Sequence, residues 1–299
     1  MRKILYSIAC LFSLVIIGLI LFSYNHASSD GQVSVVAAEN FWGSLVGQIG
    51  GDKVKVLSII SDPNANPHQY ESSSVDARAI YNASYVVVNG SGYDYWATSI
   101  INASPSKHRR VLDVASYLHR PTGSNPHLWY NPSYINKVIV KMTNDLSSIS
   151  PKNAPYFRNN LNRLEVKLSA NEALMAAIKK QYGGEKVAAT EDIFVYLAKY
   201  LGLDLISPPE FMQAVAEGTD PSARSVITFQ NQLKQRQPKI LVFNKQTITP
   251  LTSAMKSIAN QYSIPVVGIT ETIQPPKESY EAWMNNELKS IQNALQRSH

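Results

Sequence analysis

An almost unbroken apolar stretch, Ile4–Phe22, opens the chain, with Arg2 and Lys3 before it and small polar residues after it. Past residue 30 the pattern changes to short apolar segments alternating with segments of helical period. Val33–Ala38 and Val54–Ile60 have strand length and character, and they flank Phe41–Ile49, which repeats at helical spacing and stops at Gly50-Gly51. The spacing then predicts a short helix over Asp76–Tyr81, a buried strand at Tyr85–Val88 and, beyond the Gly90-Ser91-Gly92 turn, a helix over Tyr93–Ile101. A second block repeats the alternation: strand Lys186–Ala189, helix Ile193–Leu201, strand Leu205–Ser207, polar loop Glu210–Asp220, helix Ser222–Gln235, strand Ile240–Phe243, helix Leu251–Tyr262, strand Val266–Ile269 and a closing helix, Ser279–Leu295. Strands alternating with helices imply an α/β fold with mainly parallel sheets covered on both faces, and such sheets place ligands beyond the carboxyl ends of their strands.

One segment breaks this rhythm. Phe157, Leu161, Leu164, Leu168, Met175, Ile178 and Tyr182 recur at spacings of three, four or seven, and Gly183-Gly184 ends the run. A helix of this length extends about 40 Å, more than a crossover in a small domain needs. It reads as a rigid strut between two small lobes, the other reading being a long core helix of a single domain. The expected division is residues 1–29 as leader, 30–150 as the first lobe, 151–184 as the linking helix and 185–299 as the second lobe. A length of 299 residues fits that division.

Residues 1–29 have the form of an export signal, so the remainder is expected outside the cytoplasm, on the outer face of the cell membrane or in the periplasm. Cleavage after Ser29 satisfies the small-residue rule with Ala27 and Ser29. The apolar run is also close to the roughly 20 residues that span a bilayer, so a retained anchor stays open. The single cysteine, Cys10, lies inside the run, leaving the exported part without disulfide or thiolate ligand. Its setting, Ser-Ile-Ala-Cys, is a poor match to a bacterial lipidation site, which is a third fate. The net charge is +6, and removing Arg2 and Lys3 leaves 26 basic and 22 acidic residues. The longest basic tract, Lys107–Arg110, reads as a solvated face, and nucleic acid is not an expected partner.

Against this background two loops share a device. Asn66-Pro67-His68-Gln69-Tyr70 follows the strand Val54–Ile60, and Asn125-Pro126-His127-Leu128-Trp129-Tyr130-Asn131-Pro132 precedes the helical pattern Tyr134–Met142. Either histidine alone reads as an ordinary hydrogen-bonded loop residue. Two acids occupy matching places in the second block: Glu191 directly follows the strand Lys186–Ala189, and Glu271 follows Val266–Ile269. Each alone also reads as a first-turn acid favoured by the helix dipole. Together, two neutral imidazoles and two carboxylates make a site of charge −2 that a divalent cation neutralises. No phosphate loop, nucleophile elbow or His-Glu-x-x-His helix is present.

These motifs, with Thr190-Glu191-Asp192-Ile193-Phe194-Val195-Tyr196-Leu197-Ala198 and Ile269-Thr270-Glu271-Thr272-Ile273, resemble those of the bacterial metal-binding lipoproteins that feed zinc, manganese or iron to ATP-driven importers, the periplasmic solute-binding protein family 9 type. The resemblance runs from about Val33 to the C-terminus. It implies two α/β lobes joined by one long rigid helix, metal ligands His68, His127, Glu191 and Glu271, and no catalytic residue or resident cofactor. It also implies a monomer that hands one divalent ion to a membrane permease and a cytoplasmic ATPase. The chain departs from the family pattern at Asn125 and Asn131, where Asp is usual, at Glu271, where Asp is more common, and in lacking a His-rich loop. Glu191 stands where many zinc members carry histidine. Such an oxygen-rich set favours manganese, with zinc or ferrous iron as the other candidates. A surface adhesin and a metallohydrolase are the competing readings. A hydrolase requires an open position for water and a nearby base, for which these motifs offer no spare residue.

Overall fold

The protein is described here by a computed structural model covering residues 31–62, 65 and 67–298. The leader over residues 1–29, with Cys10, lies outside the described residues. Among those described, no helix is long and apolar enough to cross a membrane.

The first lobe is a four-stranded sheet of β1 (Val33–Glu39), β2 (Val54–Ile60), β3 (Tyr85–Val88) and β4 (Arg110–Asp113), in the order β2-β1-β3-β4. The second holds β5 (Lys186–Ala189), β6 (Asp204–Leu205), β7 (Leu241–Asn244) and β8 (Val266–Ile269), in the order β6-β5-β7-β8. Every pairing is parallel. The central strands are mostly apolar, with polar residues near their ends, because both of their faces are covered. Val35 and Ala37 of β1 join Tyr85 and Val87 of β3 in one cluster, while Val36 and Ala38 join Val86 and Val88 in another on the opposite face. The second sheet splits likewise, with Val187, Ala189 and Val242 on one side and Ala188 and Leu241 on the other.

The Ala154–Tyr182 helix runs past both sheets, opened by Pro155 in its first turn. Its apolar stripe, Phe157, Leu164, Leu168, Met175, Ile178 and Tyr182, belongs to the same continuous cluster as the inner faces of both lobes and the closing Tyr280–Arg297 helix. The strut is therefore fused to both lobes by shared core, and further bonds tie the lobes together. Asn40 pairs with the backbone of Ile273 in both directions, at 3.1 and 2.9 Å. Tyr130 donates to the Thr270 carbonyl at 2.7 Å, and Tyr280 to that of Trp129 at 2.6 Å.

Three expectations need correction. The supposed polar loop Glu210–Asp220 is helical over Pro209–Ala216, because Phe211 and Val215 pack in one core cluster with Phe229 while Met212 joins the other. The strand expected at Leu205–Ser207 is only Asp204–Leu205. In the Lys107–Arg110 tract Arg109 is buried, not a solvated charge: it donates to the carbonyls of Ile80, Ile101 and Ser104 at 3.2, 3.1 and 2.7 Å, closing the ends of two neighbouring helices. Arg110 starts β4, a strand that the run of charges concealed.

Candidate metal centre

Both sheets reverse their winding direction between two central strands, β1 and β3 in the first, β5 and β7 in the second. Crevices form at such places, beyond the carboxyl ends. Asn89 and Tyr93 follow β3, Glu191 follows β5, Asn244 ends β7 and Glu271 follows β8. The Gly90-Ser91-Gly92 turn after β3 runs at positive φ, and a side chain at Gly90 would collide with the Asp113 carboxylate. Asp94 fastens the turn by accepting the N–H groups of Asn89 and Gly90 at 2.5 and 2.9 Å, which presents Tyr93 to the crevice.

His68, His127 and Glu271 meet there, each offering one donor atom, all within 4.8 Å of one another. His127 and Glu271 are fully buried, whereas the His68 side chain keeps 21% exposure. The expected loop position of His127 holds, but the loop is interior. Asn125 folds back beneath the ring, accepting the His127 backbone N–H at 2.9 Å and lying 3.0 Å from Nδ1. Asp192 of the second lobe is 3.2 Å from the same Nδ1. Oxygens on that side place the proton on Nδ1 and turn the Nε2 lone pair toward the crevice. Nε2 is buried and makes no hydrogen bond among the described residues. His68 Nε2 is 3.5 Å from Glu271 Oε2, and Tyr93 donates to that same oxygen at 2.6 Å.

Glu191 lies beside this trio but is not part of it. It occupies the position before the short Asp192–Phe194 turn of helix, where its side chain makes no capping bond, so the helix-cap reading has no support. Instead its Oε1 accepts from Asn244 Nδ2 at 2.6 Å, and the same amide nitrogen lies 2.5 Å from Glu271 Oε1. Gln246 holds the Glu271 loop by accepting the N–H groups of Glu271 and Thr272 at 2.8 and 3.0 Å.

The electrostatics follow from burial. Burial together with the Glu271 charge pushes the Glu191 carboxyl up to about 8. Burial also raises Tyr93, reinforced by Glu271 and Glu39, so it stays a neutral donor. For His127 burial pulls the pKa down, but the hydrogen bond and charge of Asp192, with Glu271 and Glu191, carry it above the ordinary value. His68 is lowered by burial and by His127, against the pull of Glu271. Among the described residues acidic groups thus outnumber bases in this largely buried space. A cavity of about 500 Å³, lined among others by His68, Tyr93, Asn125, Asp192 and Met212, connects the centre to the surface.

Sequence reasoning singled out the four residues at this crevice but not their supports. Asp192 was visible as the neighbour of Glu191, and Tyr93 as the first large residue after the glycine turn. Asn244 had only a faint mark, a polar residue ending an apolar strand.

Comparison with known proteins gives a consistent picture. A family model described as zinc-uptake complex component A, periplasmic, matches residues 35–294. The chain is 24% identical to the manganese ABC transporter substrate-binding lipoprotein PsaA of Streptococcus pneumoniae, over 90% of this chain and 91% of that protein. It is 20% identical to the zinc-binding lipoprotein AdcA of the same species, over 97% of this chain but only 60% of AdcA. The fold superposes on the Mn2+ complex of FpvC from Pseudomonas aeruginosa with a TM-score of 0.74 at 22% identity, covering 90% of this chain and all of that one.

Proposed function

This chain belongs to the periplasmic zinc-uptake component A family, and from that premise we propose that it captures one divalent transition metal between its lobes and delivers it to an ABC importer. The observation carrying this reading is the buried, unpaired Nε2 of His127, aimed at a cluster with His68 and Glu271 whose donors lie within 4.8 Å of one another. An unsatisfied buried nitrogen costs free energy that a bound ion would return. His68, His127 and Glu271 are the proposed ligands, with Glu191 as the fourth, drawn in when the ion displaces its proton. Two carboxylates favour manganese as cargo, with zinc or ferrous iron as the other candidates.

The chain itself acts as carrier, not catalyst, in keeping with relatives named as substrate-binding components of transporters. Its partners would be a membrane permease and a cytoplasmic ATPase. Its place would be outside the cytoplasmic membrane, as for its lipoprotein relatives.

The test is thermal unfolding of chelator-treated protein with manganese, zinc and ferrous iron. A ligand at a hundredfold excess over its Kd stabilises the native state by about 2.7 kcal/mol, so the melting temperature should rise clearly with at least one metal. A midpoint unmoved by all three refutes metal capture. Unchanged ATPase activity and uptake when the chain is added to a purified permease complex would refute delivery alone.

A further inference from the structure

We propose that Asn244 limits the coordination number of the captured ion, and thereby its selectivity, by tying up one oxygen of each glutamate. This inference rests on the metal-capture reading. Asn244 closes β7 at the point where the second sheet reverses its winding, and it is 1% exposed. Its Oδ1 accepts the Gln246 backbone N–H at 2.9 Å. That bond fixes the amide orientation, because the opposite edge faces two carboxylates and must be the donor. Nδ2 then lies 2.6 Å from Glu191 Oε1, 2.5 Å from Glu271 Oε1 and 3.0 Å from Thr247 Oγ1. Both amide hydrogens are committed to the carboxylates, and the Thr247 hydroxyl is a secondary neighbour.

The consequence concerns how a carboxylate can meet an ion. Oε1 of Glu271, and that of Glu191 once an ion has displaced its proton, is held by a charge-assisted hydrogen bond, the strong kind. In Glu271 the oxygen left over is Oε2, the one nearest His68 and already touched by Tyr93. Glu191 is held to the side, outside the cluster that unites His68, His127 and Glu271. Each held oxygen keeps a lone pair, but its bond to Asn244 fixes how the carboxylate is turned, so each glutamate meets the ion most readily through its other oxygen and bidentate binding by either must work against Asn244. Two imidazole nitrogens and two single carboxylate oxygens make a four-coordinate set, which suits zinc. Manganese, which takes more oxygen ligands, must recruit water through the cavity or break the amide bonds. Asn244 thus restrains the preference that two glutamates by themselves give manganese, and makes a site that accepts both ions.

Cobalt(II) reads this directly, because four-coordinate cobalt absorbs visible light strongly and five- or six-coordinate cobalt weakly. Metal-free protein titrated with cobalt should show the strong band. In Asn244→Leu, which keeps the volume and removes the donor, the band should weaken. The manganese-to-zinc affinity ratio should rise about tenfold, the scale of one lost hydrogen bond to a charged group. Asn244→Ala should move both readouts in the same direction and serves if the leucine variant does not fold. A weak band in the unmodified protein overturns the proposal, as does an unchanged band and ratio in the variants. So does a parallel loss of both affinities with the band intact, the mark of a merely structural role. Failure of the unmodified protein to bind any metal is a different result and refutes metal capture itself.

Discussion

The two lobes carry the same four-stranded parallel sheet in the same winding order, yet they set opposite chemistry along matching edges. The first contributes His68, His127 and Tyr93, all groups that can be buried uncharged. The second contributes Glu191 and Glu271, buried acids that repel one another and need the Asn244 amide between them. On the proposed reading each lobe by itself holds half a site. The imidazoles lack the charge to retain an ion, and the carboxylates lack the nitrogen donors that favour a transition metal over calcium or magnesium. Topology determines where a ligand sits, and the side chains at the strand ends determine which ligand.

The contrast is broken most severely from the acidic side. Glu271→Ala removes a direct donor, the acceptor of Tyr93 and one partner of Asn244, and should weaken binding of every metal by more than about a hundredfold, beyond what supporting residues usually cost. Competition against a coloured chelator measures it. A loss under about tenfold would show that Glu271 is not a ligand.

Asp192 sharpens the comparison, because it comes from the acidic lobe yet serves a histidine of the other. Asp192→Ala should reduce affinity about ten- to a hundredfold through the lost grip on His127 Nδ1, and Asp192→Asn should recover part of it. Equal affinities for the parent and the alanine variant would leave the histidine held by Asn125 alone.

Per pH unit the smallest effect is the pH response, in which the groups differ by the direction of their shifts. Glu191 has its pKa pushed up to about 8, so below that value it holds a proton which an entering metal must expel. His127, also raised, adds to the competition, while the lowered His68 yields its proton at lower pH. Affinity should therefore climb as pH rises toward about 8, by up to about tenfold per unit for each proton displaced. Calorimetry in two buffers of different ionisation heat counts the protons released. A flat affinity between about pH 6 and pH 8 would mean that neither Glu191 nor His127 is titrated by the metal.

Most of the architecture was legible because central parallel strands must be apolar on both faces and because the long helix advertises its stripe. The four residues around the crevice were legible too, since an imidazole behind a proline and an acid directly after a strand are local marks. What escaped depends on contacts distant in sequence. Asn244 matters only because Glu191 and Glu271 converge on it from 53 and 27 residues away. Arg109 looked solvated because a run of charges gives no sign of the Ile80 carbonyl, 29 residues away, nor of the helix end at Ile101 and Ser104 that folds back onto it. The Pro209–Ala216 helix escaped because a proline and a glutamate at its start look like loop residues, although proline is well placed in a first turn.

The reciprocal bonds between Asn40 and the Ile273 backbone have a kinetic consequence. They are made without any ion, so on the proposed reading escape of the cargo would not wait for the molecule to part in two. The residence time then depends on the slowest local step at the crevice. Of the three clustered side chains only that of His68 keeps partial exposure, so on the proposed reading it would be the last to grip an arriving ion and the first to let one leave. A docking partner that pulled on its loop would shorten the stay of the cargo without unseating either lobe.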